Sequence, residues 1–111
     1  MTKAQILKLK SVALRVFVTR GYLDARVHGL IVQDVRVRDG RTGEEIKDVV
    51  TARYTSSELQ VAVRDAQGMV ITRDGKPRLT RRVAPFTLVD TKTGETVDSG
   101  GFLQRAFRGS A

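Results

Sequence analysis

Apolar residues recur along this chain with two different periods. Over the first twenty positions Ile6, Leu9, Ala13, Val16 and Phe17 fall at helical spacing, behind a Thr2/Gln5 pair that fits a capping box. The same stretch also carries a period of two. Val12, Leu14, Val16 and Val18 alternate from Ser11 onward and are mostly β-branched, as a strand would be. A helix to about Leu14 that runs into extended chain satisfies both patterns. Residues 1–20 therefore read as an N-terminal helix or an extended arm.

After Gly21 the period of two dominates, and residues 26–107 read as antiparallel strands divided by turns. Ile31, Val35 and Val37 alternate with Val32, Asp34 and Arg36. Val50, Ala52 and Tyr54 form a second inward face, and Leu59, Val61 and Val63 form the cleanest one. The turn Asp65-Ala66-Gln67-Gly68 leads into a strand over 69–73, and Asp74-Gly75 opens the next turn. Ala84, Phe86 and Leu88 follow, and Phe102 to Phe107 is predicted as a last strand. One motif occurs twice, 51 positions apart. Asp39-Gly-Arg-Thr-Gly-Glu44 and Asp90-Thr-Lys-Thr-Gly-Glu95 share Asp-x-basic-Thr-Gly-Glu, each after an apolar alternation and each before Ile46 or Val97. Glycine can take the positive φ that closes a short hairpin loop, and the aspartate can accept from the turn amides, so both are read as hairpin turns. A phosphate cradle is the weaker reading, since neither is a glycine-rich loop leading into a helix. The expected fold class is α+β and mostly antiparallel β: a curved sheet of hairpins with at most one N-terminal helix, forming a single domain over 1–111.

Composition supports a folded domain and narrows its chemistry. With 111 residues there is room for one core, and 41% hydrophobic residues argue for a real one. Cysteine is absent, which removes disulfides, thiol nucleophiles and cysteine-ligated metal. No apolar run approaches the roughly 18 residues that would suggest a membrane span. His28 is the single histidine, and no second His or paired carboxylate motif accompanies it, so no metal site is expected. Ser56-Ser57-Glu58 has no histidine at strand or helical spacing to activate a hydroxyl. The chain is therefore expected to be no enzyme, with no cofactor and no small-molecule substrate.

Charge changes the picture more than composition does. The formal net charge is +8, and it is uneven. Residues 1–30 carry a net +5, with Lys3, Lys8, Lys10, Arg15, Arg20 and Arg26 against Asp24 alone. Residues 73–82 carry +4, with Arg73, Lys76, Arg78, Arg81 and Arg82 against Asp74. The middle of the chain is balanced, and Arg105 and Arg108 interleave with Phe102 and Phe107 near the end. Massed cations on exposed elements suit phosphate contacts, which position a polyanion without reading its sequence. Phenylalanine between arginines fits base stacking, although two core residues of a final strand is the plainer reading of Phe102 and Phe107. The candidate polyanion-binding set is thus Lys3, Lys8, Lys10, Arg15 and Arg20, then Arg73, Lys76, Arg78, Arg81 and Arg82, then Arg105 and Arg108. Solvated faces kept soluble by charge are the alternative. The first 23 residues contain no acid, as a mitochondrial leader requires, but they are poorer in Arg and Ser than such leaders and are read as part of the fold.

The strand run Val49-Val50-Thr51-Ala52-Arg53-Tyr54-Thr55-Ser56, followed by Val61-Ala62-Val63-Arg64-Asp65-Ala66-Gln67-Gly68-Met69-Val70, resembles a known family. It is the C-terminal domain shared by the mitochondrial import-motor scaffold, a mitochondrial large-subunit ribosomal protein and bacterial relatives. The likeness spans residues 30–107, with Pro85 standing where that family has a paired strand and Phe102 where it has a tryptophan. It implies a cone-shaped α+β fold like nuclear transport factor 2, used without catalysis on an inner membrane or inside a ribosome. Charge and resemblance together lead to a basic adaptor module of the mitochondrion that contacts ribosomal RNA, or else an anionic membrane surface, among the other proteins of a large assembly. The competing expectation is a structural subunit, cytoplasmic or in a viral particle such as a phage, assembled by strand pairing with its neighbours.

Overall fold

The computed structural model describes residues 2–100. It opens with two short helices, α1 (Lys3–Lys8) and α2 (Val12–Arg20). The capping box at the start of α1 is present: the Gln5 amide donates to the Thr2 hydroxyl, and the Thr2 amide donates back to the Gln5 side chain. In α2 the helical period wins over the alternation of Val12, Leu14, Val16 and Val18, so extended chain after Leu14 is not what forms. Both ends explain why. Ser11 caps the first turn by accepting from the Leu14 amide at 3.1 Å, and Gly21 ends the last one at φ 87°, donating to the Phe17 carbonyl at 2.9 Å. The helical face then buries Ala13, Leu14 and Phe17 together, which a strand could not do.

Ten short strands follow in an α+β, mostly antiparallel arrangement. They are β1 (Tyr22–Asp24), β2 (Val35–Asp39), β3 (Glu45–Ile46), β4 (Val49–Arg53), β5 (Glu58–Ala62), β6 (Thr72–Arg73), β7 (Lys76–Pro77), β8 (Leu79–Val83), β9 (Phe86–Asp90) and β10 (Thr96–Asp98). They divide between two four-stranded sheets, ordered β1-β4-β5-β8 and β10-β9-β2-β3, and a two-stranded ribbon β6-β7. The sequence pattern suggested one curved sheet. The break comes where the chain crosses between sheets, at 47–48 and again at 84–85. Pro85 sits in the second crossing, outside any strand, where it needs no amide hydrogen. Residues 25–32, expected as the start of the sheet, are instead a one-turn helix, α3 (Ala25–His28), and a 3-10 turn over Gly29–Val32. The Asp24 carboxylate starts this turn by accepting from the Arg26 amide at 2.8 Å. The strand expected over Phe102 to Phe107 lies outside the described residues.

The repeated motif builds the second sheet about a local two-fold axis. In β2–β9 pairing, Val37 stands opposite Leu88, its own counterpart 51 residues on. The flanking hairpins have the same register, with Val37 opposite Ile46 and Leu88 opposite Val97. Both loops repeat the same bonds. Gly43 and Gly94 take φ of 76° and 78° and donate to the carbonyls of Asp39 and Asp90, whose carboxylates accept from the two amides that follow the next residue or the one after. Even the loop anchors correspond: the Gly40 amide donates to the Pro85 carbonyl, and the Thr91 amide to that of Asp34. Only glycine fits at 40, because a Cβ there would lie 2.9 Å from the Pro85 oxygen.

The core forms between the sheets and α2. Leu14, Phe17, Leu59, Phe86 and Leu88 are buried completely or nearly so, each contributing roughly 1.5–3 kcal/mol of transfer free energy. The Phe17 ring meets Tyr54 edge-on at 5.2 Å and Phe86 at 6.0 Å, tying the helix to both sheets. Glu95, in the second repeated loop, fixes the start of α2. The Lys10 amide donates to its carboxylate at 2.9 and 3.0 Å and the Ser11 amide at 2.8 Å. These bonds, that from Lys10 foremost, hold the Glu95 carboxyl below its ordinary pKa of 4.5 against the opposing effect of burial. Because the folded-state pKa is the lower one, this stabilisation is complete above 4.5 and is lost as pH falls through the folded value. Glu95→Gln should lower the midpoint of thermal unfolding by a few degrees at pH 7 and remove this part of the acid sensitivity. Glu44→Gln, at the equivalent exposed position of the first loop, should leave both unchanged in thermal melts recorded from pH 7 to pH 3.

Candidate polyanion interface

The second basic block forms an exposed β-ribbon. Its turn, Asp74-Gly75, has φ of 53° and 75°, the pair of positive values that a two-residue type I′ hairpin needs. Arg73 stands directly opposite Lys76, and the Arg78 amide donates to the Ile71 carbonyl at 2.8 Å. Positions 71, 73, 76 and 78 therefore share one face of the ribbon, since side chains alternate along each strand. Pro77 opposes Thr72 on the other face, at a pair that uses no amide hydrogen. The result is three exposed cations on one face, beside an open groove running along Ile71, Thr72 and Pro77. None of the three forms an ion pair among the described residues. Like charges set opposite each other across a hairpin are destabilising, so this ribbon carries a cost that an anion would offset.

Arg81 and Arg82 differ from those three, although they belong to the same block in sequence. They point to opposite faces of β8. Arg82 continues the row Leu23, Ala52, Leu59 on the core side, and its guanidinium pairs with Asp39 at the end of β2, linking the two sheets. The amide of Arg41 foremost, then that of Thr42 and the Arg82 charge, hold the Asp39 carboxyl below its ordinary value despite burial. Arg81 lies on the outer face and pairs with Glu58 at 2.9 Å, a carboxylate that Arg53 also approaches at 4.0 Å. Arg53 was not singled out by charge clustering because its acid partner is five residues away in sequence.

The N-terminal cations sit elsewhere. Lys3 and Lys8 are exposed on α1, and Arg15 and Arg20 on the outer side of α2. Lys10 is exposed in the link between them, its amide held by Glu95. These helices pack on β1, β9 and the 3-10 turn, whereas the ribbon extends from the far ends of β5 and β8. The structure thus gathers Arg73, Lys76 and Arg78 into one cluster, ties up Arg81 and Arg82, and leaves Lys3, Lys8, Lys10, Arg15 and Arg20 as a separate field. Arg105 and Arg108 lie outside the described residues.

The other polar residues of interest have structural partners. His28 accepts from the Asp24 amide through Nδ1 at 3.0 Å and packs against the Tyr22 ring. The Ser57 hydroxyl lies 2.7 Å from that of Ser99, which accepts from the Phe86 amide, a buried relay between the sheets. A cleft of about 160 Å³ between the sheets is lined by Leu23, Val32, Val35, Val37, Val50 and Leu88, all apolar, and is smaller than the roughly 300–1,000 Å³ of most ligand pockets. Among the described residues no cluster of three or more His, Asp or Glu side chains could hold a metal. No family model, curated protein or solved structure matches the chain.

The contrast between these arginines is measurable in the absence of any partner. Arg82→Glu should lower the thermal midpoint by several degrees, by turning the Asp39 contact into a repulsion. The triple change Arg73→Gln, Lys76→Gln, Arg78→Gln should leave it unchanged or raise it slightly, because it removes the like-charged pair.

Proposed function

We propose that this chain is a non-catalytic basic adaptor whose β6–β7 ribbon holds the phosphates of structured RNA. The observation that carries the reading is the ribbon face itself, with Arg73, Lys76 and Arg78 exposed, on one side, and free of ion pairs among the described residues. Phosphate contacts from such a face give affinity and orientation rather than base specificity, as in components of ribonucleoprotein particles. The family resemblance in residues 30–107 supports the more specific form of the proposal, a ribosomal-RNA contact within a mitochondrial ribosome. Binding to RNA should weaken steeply with salt. The Arg73→Gln, Lys76→Gln, Arg78→Gln variant should flatten the slope of log K against log salt by about 2–3 and lower affinity roughly tenfold near 0.1 M salt. Fluorescence anisotropy with a labelled RNA stem-loop across a salt series measures both, and an unchanged slope would count against the ribbon.

A second reading, docking on an anionic membrane surface, is favoured by one specific feature. Val12 and Leu30 border an open wedge with Lys10 and Lys92, and Leu30 is 83% exposed. Apolar side chains ringed by lysines suit the boundary of an anionic bilayer, each cation near the surface adding about 1 kcal/mol. On this reading the protein should co-sediment with phosphatidylserine-containing vesicles but not with neutral ones, and Leu30→Glu should abolish that without affecting RNA binding.

A further inference from the structure

We infer that the outer edge of β8 is a strand-addition site for an extended acidic segment of a partner protein, a contact separate from the RNA ribbon. In the sheet β1-β4-β5-β8, β8 is terminal and five residues long, the longest outer strand of either four-stranded sheet. Its hydrogen-bonding parity follows from the bonds at its two ends. The Val63 amide donates to the Arg78 carbonyl and the Ala84 amide to the Ser57 carbonyl, so Arg78, Thr80, Arg82 and Ala84 turn their backbone groups toward β5. Leu79, Arg81 and Val83 turn theirs outward, where they meet no backbone partner among the described residues. Val83 is 57% exposed and the Arg81 side chain 70% exposed, so both the strand and its flanks are accessible. An added strand would bond those three residues through six backbone groups, as in β-augmentation.

Charge selects the occupant. Arg81 and Arg82 project from opposite faces of β8, and a strand laid antiparallel along the edge would place its own side chains about 5 Å from each. Two consecutive carboxylates at the matching positions would meet one arginine on each face, with an apolar residue opposite Val83. Glu58 and Asp39 only partly neutralise the strand, and Arg78 and Arg53 add to its positive field. The same arginines disfavour a second copy of this chain. A symmetric β8–β8 pairing centred on Arg81 or Arg82 sets an arginine against itself, and Pro77 and Pro85 bound the edge at either end.

The test uses the full chain and two acetylated, fluorescein-labelled octapeptides of alternating Val and Thr, one with two central Glu and one with two central Lys. The glutamate peptide should bind saturably in fluorescence anisotropy, and at least tenfold more tightly than the lysine peptide. Val83→Pro removes one outward amide, alters no charge and leaves the β5 ladder intact, and should weaken binding at least tenfold. The glutamine triple variant of the ribbon should bind the peptide within about threefold of the unaltered chain, which separates this site from the one that holds RNA. Amide hydrogen exchange supplies a readout that does not depend on a variant folding. In the free protein Leu79, Arg81 and Val83 should exchange fast and Thr80 and Arg82 slowly, and the glutamate peptide should protect the first three. Equal affinity for the two peptides, no binding at 1 mM, wild-type binding by a folded Val83→Pro, or slow exchange at those three amides in the free protein would each overturn the inference.

Discussion

The pairing of β2 with β9 joins two hairpins that are 51 residues apart in sequence, and much of the structure depends on it. Once Val37 stands opposite Leu88, the two repeated loops lie at opposite corners of one sheet. Each then holds a different part of the molecule. The Asp90–Glu95 loop receives the amides that start α2, and Asp39 receives Arg82 from the other sheet. One local motif, used twice, thus attaches the helix at one corner and the neighbouring sheet at the other. The buried Ser57–Ser99–Phe86 relay closes the remaining side of the core.

Short-range signals in the sequence predicted local structure well. The Thr2–Gln5 cap, the two Thr-Gly loops, the Asp65–Gly68 turn and the alternation around Leu59 all correspond to what forms, because each rests on contacts within a few residues. Where two periods overlapped, as over Ser11 to Val18, the outcome depended on Glu95, a partner 84 positions away that no pattern along the segment reveals. The division into two sheets was equally hidden. Alternation marks a strand and its buried face, but it does not say which sheet the strand joins. The crossings at 47–48 and 84–85 are visible only in hindsight, through the positive φ of Asp48 and the position of Pro85.

The basic block over 73–82 shows how register redistributes charge. In sequence its five cations look equivalent. In the fold, the hairpin turn puts Arg73, Lys76 and Arg78 on a single exposed face, while strand alternation sends Arg81 and Arg82 to opposite sides of β8. Arg82 then serves as a strut at the rim of the core, its long apolar stem extending the row of Ala52 and Leu59. Clustering along the chain therefore overstated the size of the candidate interface and said nothing of its direction.

The long reach of the β2–β9 contact also bears on how the chain is made. Everything from β4 to β8 pairs with near neighbours and can organise as soon as it leaves the ribosome, apart from β1, which simply waits for β4. The second sheet cannot close until β9 has been translated, because half of it is encoded near the end of the chain. For that interval Val35, Val37 and Ile46 lie bare on an unfinished hairpin, a window in which a nascent chain is open to chaperones and to misassociation.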